Sequence, residues 1–194
     1  MASLAGCQRS DPPQPTIAEV RQAERRLAPV WELLARPDAD TLREAARALA
    51  DFPPQIHDNA VYTVEGDPAL LDVLRIGDAT VRVDGDWMQA TARSFKSLVQ
   101  SQQPDEARWA YEALDGLLAG VMRSARSWAG KRAGSNTVPL AHHSVLNLRA
   151  LLARVMLESD ATAGDPGLRD ALKARRERLH AIGRDFSRIS PEVP

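Results

Sequence analysis

The sequence has few features of a disulfide-bonded or membrane-spanning protein. Its 194 residues include one cysteine, Cys7, and no long run of apolar residues. A single cysteine excludes an internal disulfide, so stability has to come from packing. A transmembrane helix needs about 18 or more consecutive apolar residues, so any attachment of this chain to a membrane has to be made through Cys7.

The sequence patterns of common enzymes are also missing. The chain contains no G-x-S-x-G, H-E-x-x-H, P-loop or G-x-G-x-x-G motif. Cys7 lies in a polar terminal segment that has no basic pocket to activate its thiol, which argues against a catalytic cysteine. We therefore expect a protein that acts by binding, without a cofactor and without a nucleic-acid partner.

Acidic residues are unevenly distributed. Residues 1–120 hold 12 basic and 19 acidic groups, residues 121–194 hold 13 and 7, and Arg123–Arg154 has no acidic residue. One interpretation, which we favour, is that acidic residues of the first part form ion pairs with basic residues of the second part inside the fold. The other is that the second part presents a basic face to an anionic partner. The basic segment predicts six contact residues for such a partner: Arg123, Arg126, Lys131, Arg132, Arg149 and Arg154.

What remains is a strongly helical pattern. Thr16 and Glu19 form a capping box that begins a first helix, with a kink at Pro29. Asp40 and Asp86 are expected to cap the second and third helices, and Pro104 to open the fourth. The predicted helices begin near Ile17, Thr41, Asp86, Pro104, Leu140 and Pro166. The helix from Leu140 to Glu158 is apolar on nearly every side, which predicts a central, buried position.

Residues 60–84 have a different character. Val61–Val64 and Thr80–Val83 are rich in β-branched residues and predict two short strands, on either side of a helical turn that Asp67-Pro68 opens. We expect a mainly α fold, a single-domain helical bundle of about six helices with these two strands. The pattern identifies no family for the helical domain.

The histidines are the candidates for a metal or haem site. His142 and His143 are adjacent and would point about 100° apart on a helix, so they are expected to line an interface or a helix start. The alternative is a site assembled from His57, His142 and either Met88 or Met156, since helical bundles do build cofactor sites from facing helices.

The segment Leu4-Ala5-Gly6-Cys7 resembles the lipobox of bacterial lipoproteins. In that family the leader is removed and the cysteine becomes an acylated first residue, anchored by palmitate and other fatty chains. The family's signal peptide also has a cationic region and an apolar stretch of about 7–15 residues before the lipobox. Only residues 1–6 precede Cys7, so we expect the true start to lie upstream.

The resemblance implies a domain organisation and a location. Residues 1–6 are interpreted as a signal-peptide remnant, 7–15 as a lipidated, proline-rich tether, 16–190 as the helical domain and 191–194 as a tail. Gln8 after the cysteine implies the outer membrane in the enterobacterial family pattern. The expected location is therefore the bacterial cell envelope, lipid-anchored in the outer membrane and facing the periplasm.

The function expected from these features is a non-enzymatic binding, scaffold or assembly subunit of an envelope complex. Its partners would be the membrane, through the lipid, and another envelope protein or an anionic envelope component. Two alternatives stay open at this point. One is a metal- or haem-binding bundle in the periplasm, and the other is a cytosolic helical regulatory protein in which Cys7 matches the lipobox by chance.

Overall fold

The computed structural model describes residues 14–53, 56–65, 71–131 and 140–189, with side chains described except at positions 58, 124–131, 140 and 186–189. These residues form a mainly α fold with a small antiparallel sheet, as the sequence predicts. The helices are α1 (Ile17–Leu33), α2 (Ala39–Ala50), α3 (Ile56–Asn59), α4 (Gly85–Ser101), α5 (Pro104–Lys131), α6 (Leu140–Leu157) and α7 (Pro166–Ile189), with a 3-10 turn at Asp160–Thr162.

The first helix begins as its sequence predicts. The backbone N–H of Thr16 donates to the Glu19 carboxylate at 2.7 Å, and the Glu19 N–H donates back to the Thr16 hydroxyl at 3.3 Å. This capping box satisfies N–H groups that have no partner within the helix. Pro29 lies inside α1, as expected.

The caps of α2 and α4 differ from the expected ones by two residues. Asp38, not Asp40, caps α2 and accepts hydrogen bonds from the N–H groups of Asp40 and Thr41. Asp84, not Asp86, caps α4 and accepts from the Trp87 N–H at 2.9 Å. In both cases the earlier aspartate has extended backbone, which aims its carboxylate at the first helical turn.

The sheet has three strands in the order β1 (Thr63–Glu65), β2 (Val73–Ile76), β3 (Ala79–Arg82). The two predicted strands are present with slightly shifted bounds, and β2 is additional. Gly77-Asp78 joins β2 to β3, and Gly77 has φ +54° while Asp78 has no positive φ. A positive φ at the first loop residue is typical of a type II′ hairpin turn. The expected turn at Asp67-Pro68 lies outside the described residues.

The centre of the bundle is α6, which packs against α4, α5 and α7. Val145, Leu148, Leu152 and Met156 are completely buried along it. This agrees with a helix whose sequence is apolar on nearly every side. A helix in this position leaves only a narrow strip of its surface near solvent, between α4 and α7.

Two tryptophans connect the N-terminal helices to the rest of the fold. The Trp31 indole N–H donates to the Leu74 carbonyl at 3.4 Å, and that of Trp87 donates to the Leu34 carbonyl at 2.7 Å. Both rings are buried, so each combines a large apolar contact with a satisfied polar group. None of the helices in the described ranges has the length and hydrophobicity needed to cross a bilayer.

Candidate binding site

The most suitable binding surface is a groove between α4 and α7 with α6 as its floor, which we call the α6 groove. It consists of two adjoining cavities of about 410 and 450 Å³ that share Asn147, Ala150 and His180. Helix α4 contributes Met88 and Gln89 to one wall. The groove exists because both α4 and α7 pack on α6 and leave its outer strip uncovered.

The bottom of the groove is apolar. Ala150 is only 9% exposed, Leu146 and Leu179 are buried, and Leu151 and Met88 are half-buried. These side chains are part of the hydrophobic core or pack against it. Their outer surfaces would gain free energy from contact with an apolar ligand, at about 25 cal/mol per Å² removed from water.

The charged residues in the described lining of the groove are all basic. Arg154 lies on α6, and Arg176 and Arg184 lie on α7. Within the part of the chain that the structure describes, Arg176 and Arg184 form no ion pair. Arg154 contacts Glu158 at 2.7 Å, but both side chains are exposed, and such pairs contribute only about 0–1 kcal/mol.

Uniform charge distinguishes the α6 groove from three other surface cavities, which carry both signs. The cavity beside the exposed Trp109 has two arginines on one side and two carboxylates on the other. A cavity next to α1 contains Glu19 and Arg26. A larger one of about 550 Å³ contains Lys96 as well as Glu158 and Asp160. Among these cavities, the α6 groove is the one whose described lining carries charge of a single sign, which favours an anionic ligand, while Glu158 lies outside the lining next to Arg154 and interacts with Arg176.

Arg149, one of the predicted contact residues, is used inside the fold. Its guanidinium donates to both carboxylate oxygens of Asp115, at 2.8 and 3.0 Å, and both side chains are largely buried. Arg175 reaches the same carboxylate at 3.4 Å and also contacts Glu112 and the Tyr111 hydroxyl. Acidic residues of the first 120 positions therefore pair with basic residues of the C-terminal segment, which supports the favoured interpretation of the charge asymmetry.

The other predicted contact residues have different locations. Arg154 lies in the α6 groove, whereas Arg123 is exposed on α5. Arg126 and Lys131 belong to α5, but their side chains are not described, and Arg132 lies outside the described residues. Arg176 and Arg184 are not among the residues predicted from the sequence. Their signal was present, because Arg176, His180 and Arg184 follow one another at four-residue steps and so share one helix face.

The histidines are distributed over the fold. His142 is 2% exposed, and burial, with a smaller effect of neighbouring His143, lowers its pKa from 6.5 to about 4. His143 is half-buried and lines the α6 groove, and burial lowers its pKa as well. His57 lies on α3 against Gly120 of α5. In the described parts of the chain, no three His, Cys, Asp or Glu side chains form a group able to hold a metal ion.

Cys7 and the rest of the lipobox-like segment lie outside the described residues. In comparisons with known proteins, no family model, curated protein or solved structure matches this chain. The features of this chain that indicate a function are therefore its N-terminal sequence and the chemistry of the α6 groove.

Proposed function

We propose that this chain is a lipid-anchored envelope protein that acts as a non-enzymatic binding or assembly subunit, with the α6 groove as its contact surface. The observation that carries the binding role is the groove itself, in which an apolar floor lies beside basic side chains of α6 and α7. Such a combination is typical of binding sites, where apolar contacts supply affinity and polar groups fix orientation.

A binding role also agrees with the chemical groups that the groove contains. Its described lining includes no serine, threonine, cysteine or carboxylate side chain that could act as a nucleophile, and its polar groups are Gln89, Asn147, two histidines and three arginines. The arginines remain positively charged at any physiological pH. They suit recognition of an anionic partner better than proton transfer.

The location follows from the resemblance of Leu4-Ala5-Gly6-Cys7 to a lipobox. A single acyl chain binds membranes only marginally, but two or more hold a protein stably. The following tether contains three prolines, Pro12, Pro13 and Pro15, which favour an extended, semi-rigid spacer. We propose that the helical domain stands away from the outer membrane, on its periplasmic side, with the groove accessible to a second envelope protein.

Mass spectrometry of protein produced from the full reading frame in a native host tests the anchor. We expect an N-terminal Cys7 that carries fatty acyl chains, and recovery of the protein with outer membranes. The variant Cys7→Ser should be unacylated and absent from that fraction. A free thiol in the wild-type protein would instead place it with cytosolic or soluble periplasmic proteins and end the anchoring proposal.

Site-specific crosslinking in intact cells tests the groove. A photoreactive residue with a small aliphatic diazirine side chain, placed at Asn147 inside the groove, should capture one defined envelope protein without filling the groove. The same residue at Arg25, which is exposed on α1, should not capture it. Arg184→Glu should abolish the product at Asn147. Capture that is equal at both positions, or insensitive to Arg184→Glu, would contradict the assignment of the groove as contact surface.

A further inference from the structure

We infer that the α6 groove binds an amphipathic helix of the partner, with apolar residues against the floor and acidic residues along the flank that faces α7. This inference rests on the proposed function and specifies the chemistry of the ligand. It follows from three properties of the groove: the elements that form its walls, the depth of its apolar floor, and the side on which its charges lie.

The walls determine the backbone conformation of the ligand. Extended peptides are commonly bound by adding a strand to an exposed sheet edge, and polyproline segments by aromatic grooves. The walls and floor of the α6 groove are helices, whose backbone groups are already bonded, and no Phe, Tyr or Trp is among its described lining residues. The remaining common mode is a ligand helix that lies between α4 and α7 and packs onto α6.

The floor determines the length and the apolar face of the ligand. From His143 to Arg154 the floor follows α6 over about 16 Å, or three turns of helix. A ligand helix would present apolar residues at i, i+3, i+4 and i+7 over the same distance. Ala150 leaves space for one large side chain, because it lies at the bottom of both cavities and is 9% exposed.

The charges determine which flank is acidic. Arg176, His180 and Arg184 form a row along the α7 wall, at four-residue steps of about 6 Å. The α4 wall contributes the uncharged Met88 and Gln89. Glutamates or aspartates at four-residue steps on the α7-facing flank would match this row. The same residues on the opposite flank would face Met88 and Gln89, which carry no charge.

The shape of the groove distinguishes a helix from other anionic partners. A bilayer surface is flat on this length scale and would contact the exposed arginines without reaching Ala150. A polyanionic glycan has no apolar face. The outer surfaces of Leu151 and Met88 would therefore gain no apolar contact when it binds. A helix with one apolar and one acidic face satisfies the floor and the row of basic residues together.

Binding of designed probe peptides to the purified full chain tests the inference. The first probe is a fluorescein-labelled helix of about 18 residues with a leucine stripe and glutamates on one flank. The second has the same composition with the leucines dispersed around the helix. The third has the leucine stripe with lysines in place of the glutamates. We expect saturable binding of the first probe by fluorescence anisotropy, and at least about tenfold weaker binding of the other two.

Variants of the chain locate the binding. Arg176→Glu combined with Arg184→Glu should weaken binding of the first probe by about tenfold or more, since two attractions become repulsions. Asn147→Trp should block the groove sterically. The matched control, Arg21→Glu with Arg25→Glu, changes the same charge at exposed positions of α1 and should change affinity less than about twofold. Circular dichroism of each variant establishes that the fold is retained.

Three outcomes would overturn the inference. Equal binding of the first two probes would show that net charge alone is recognised. Stronger Arg184-dependent binding to phosphatidylglycerol vesicles than to the peptide would assign the groove to a membrane surface. No binding of the first probe would exclude the helix, and the proposed function would still stand if crosslinking at Asn147 captured an envelope protein of another shape.

Discussion

Asp115 is a buried carboxylate that two arginines share. Arg149 binds it through two hydrogen bonds and Arg175 through one contact of 3.4 Å. The three residues belong to α5, α6 and α7, so their network joins the helices that enclose the core. The Arg175 guanidinium also lies over the Tyr111 ring, 5.4 Å from its centre. This network stabilises the fold mainly by satisfying charges that burial would otherwise penalise.

Replacing Asp115 should therefore destabilise the protein strongly. We expect Asp115→Asn to lower the free energy of unfolding by about 3–5 kcal/mol, because Arg149 would be left buried without a counter-charge. Glu112→Gln is the control, since Glu112 is exposed and contacts only Arg175 among the described residues; its effect should stay below about 1 kcal/mol. Urea denaturation measures both. Similar losses for the two variants would contradict the importance assigned to the buried pair.

His142 should make the protein sensitive to acid. Its pKa is about 4 in the folded protein and 6.5 in the unfolded chain, so the unfolded chain binds the proton first as pH falls. The contribution of neutral His142 to the free energy of unfolding is fully present above about pH 6.5. It decreases by about 3 kcal/mol as the pH falls towards 4. His142→Leu should flatten the pH dependence over this range, and a slope equal to that of the wild-type protein would contradict the role assigned to His142. Chemical denaturation at pH 7, 5.5 and 4 measures the slopes.

Among the helices, α5 contains two glycines in contrasting surroundings. A methyl group added at Gly116 meets no atom within 4 Å, whereas one added at Gly120 comes within 3.1 Å of the His57 Cβ. At Gly120 the one-turn helix α3 therefore approaches α5 too closely for a side chain to fit without displacement. Glycine inside a helix costs about 0.5–1 kcal/mol relative to alanine, so the contact with α3 explains glycine at position 120 but not at 116.

This difference gives a paired prediction. Gly116→Ala should stabilise the protein by about 0.5–1 kcal/mol, because it favours the helix without a steric penalty. Gly120→Ala should lose that gain, since α3 has to move away. Thermal unfolding of the two variants side by side measures the difference. Equal stabilisation by both substitutions would show that α3 does not restrict this part of α5.

The helix boundaries show how much of the structure can be predicted from neighbouring residues alone. The capping box at Thr16 was predicted correctly because its two side chains satisfy each other and need no other part of the fold. Each of the next two caps could be either of two aspartates that lie two positions apart, Asp38 or Asp40 for α2 and Asp84 or Asp86 for α4. The choice depends on which aspartate has extended backbone, and the route of the chain into the helix decides that. Strand β2 was missed, although Gly77-Asp78 is a known hairpin signal.

In the molecule as a whole, the helical class and the central position of α6 followed from periodicity and from its apolar sequence. The α6 groove could not be predicted from these patterns, because it is created by the way α4 and α7 pack on α6. Arg149 and Arg154 are five residues apart in an uninterrupted basic segment, but one is buried against Asp115 and the other lines the groove. No local pattern distinguishes them, since the difference is the presence of α5 on one side of α6.

The packing around α6 predicts an order of local stability. Helix α6 contacts three other helices, so its central amides should exchange with solvent only on global unfolding. Strand β1 pairs on one side only, with β2, and should exchange faster. Hydrogen–deuterium exchange with mass spectrometry measures this order. Protection of β1 equal to that of Leu148 or Leu152 would contradict it.

The hydrogen bond from the Trp87 indole to the Leu34 carbonyl has a mechanical consequence. It fastens the end of α1 to the first turn of α4, next to the groove residues Met88 and Gln89. A force applied at the N-terminus would thus travel along α1 to this wall. If Cys7 is the anchored residue, as we propose, tension in the tether would reach the α4 wall of the groove that we propose as the helix-binding site.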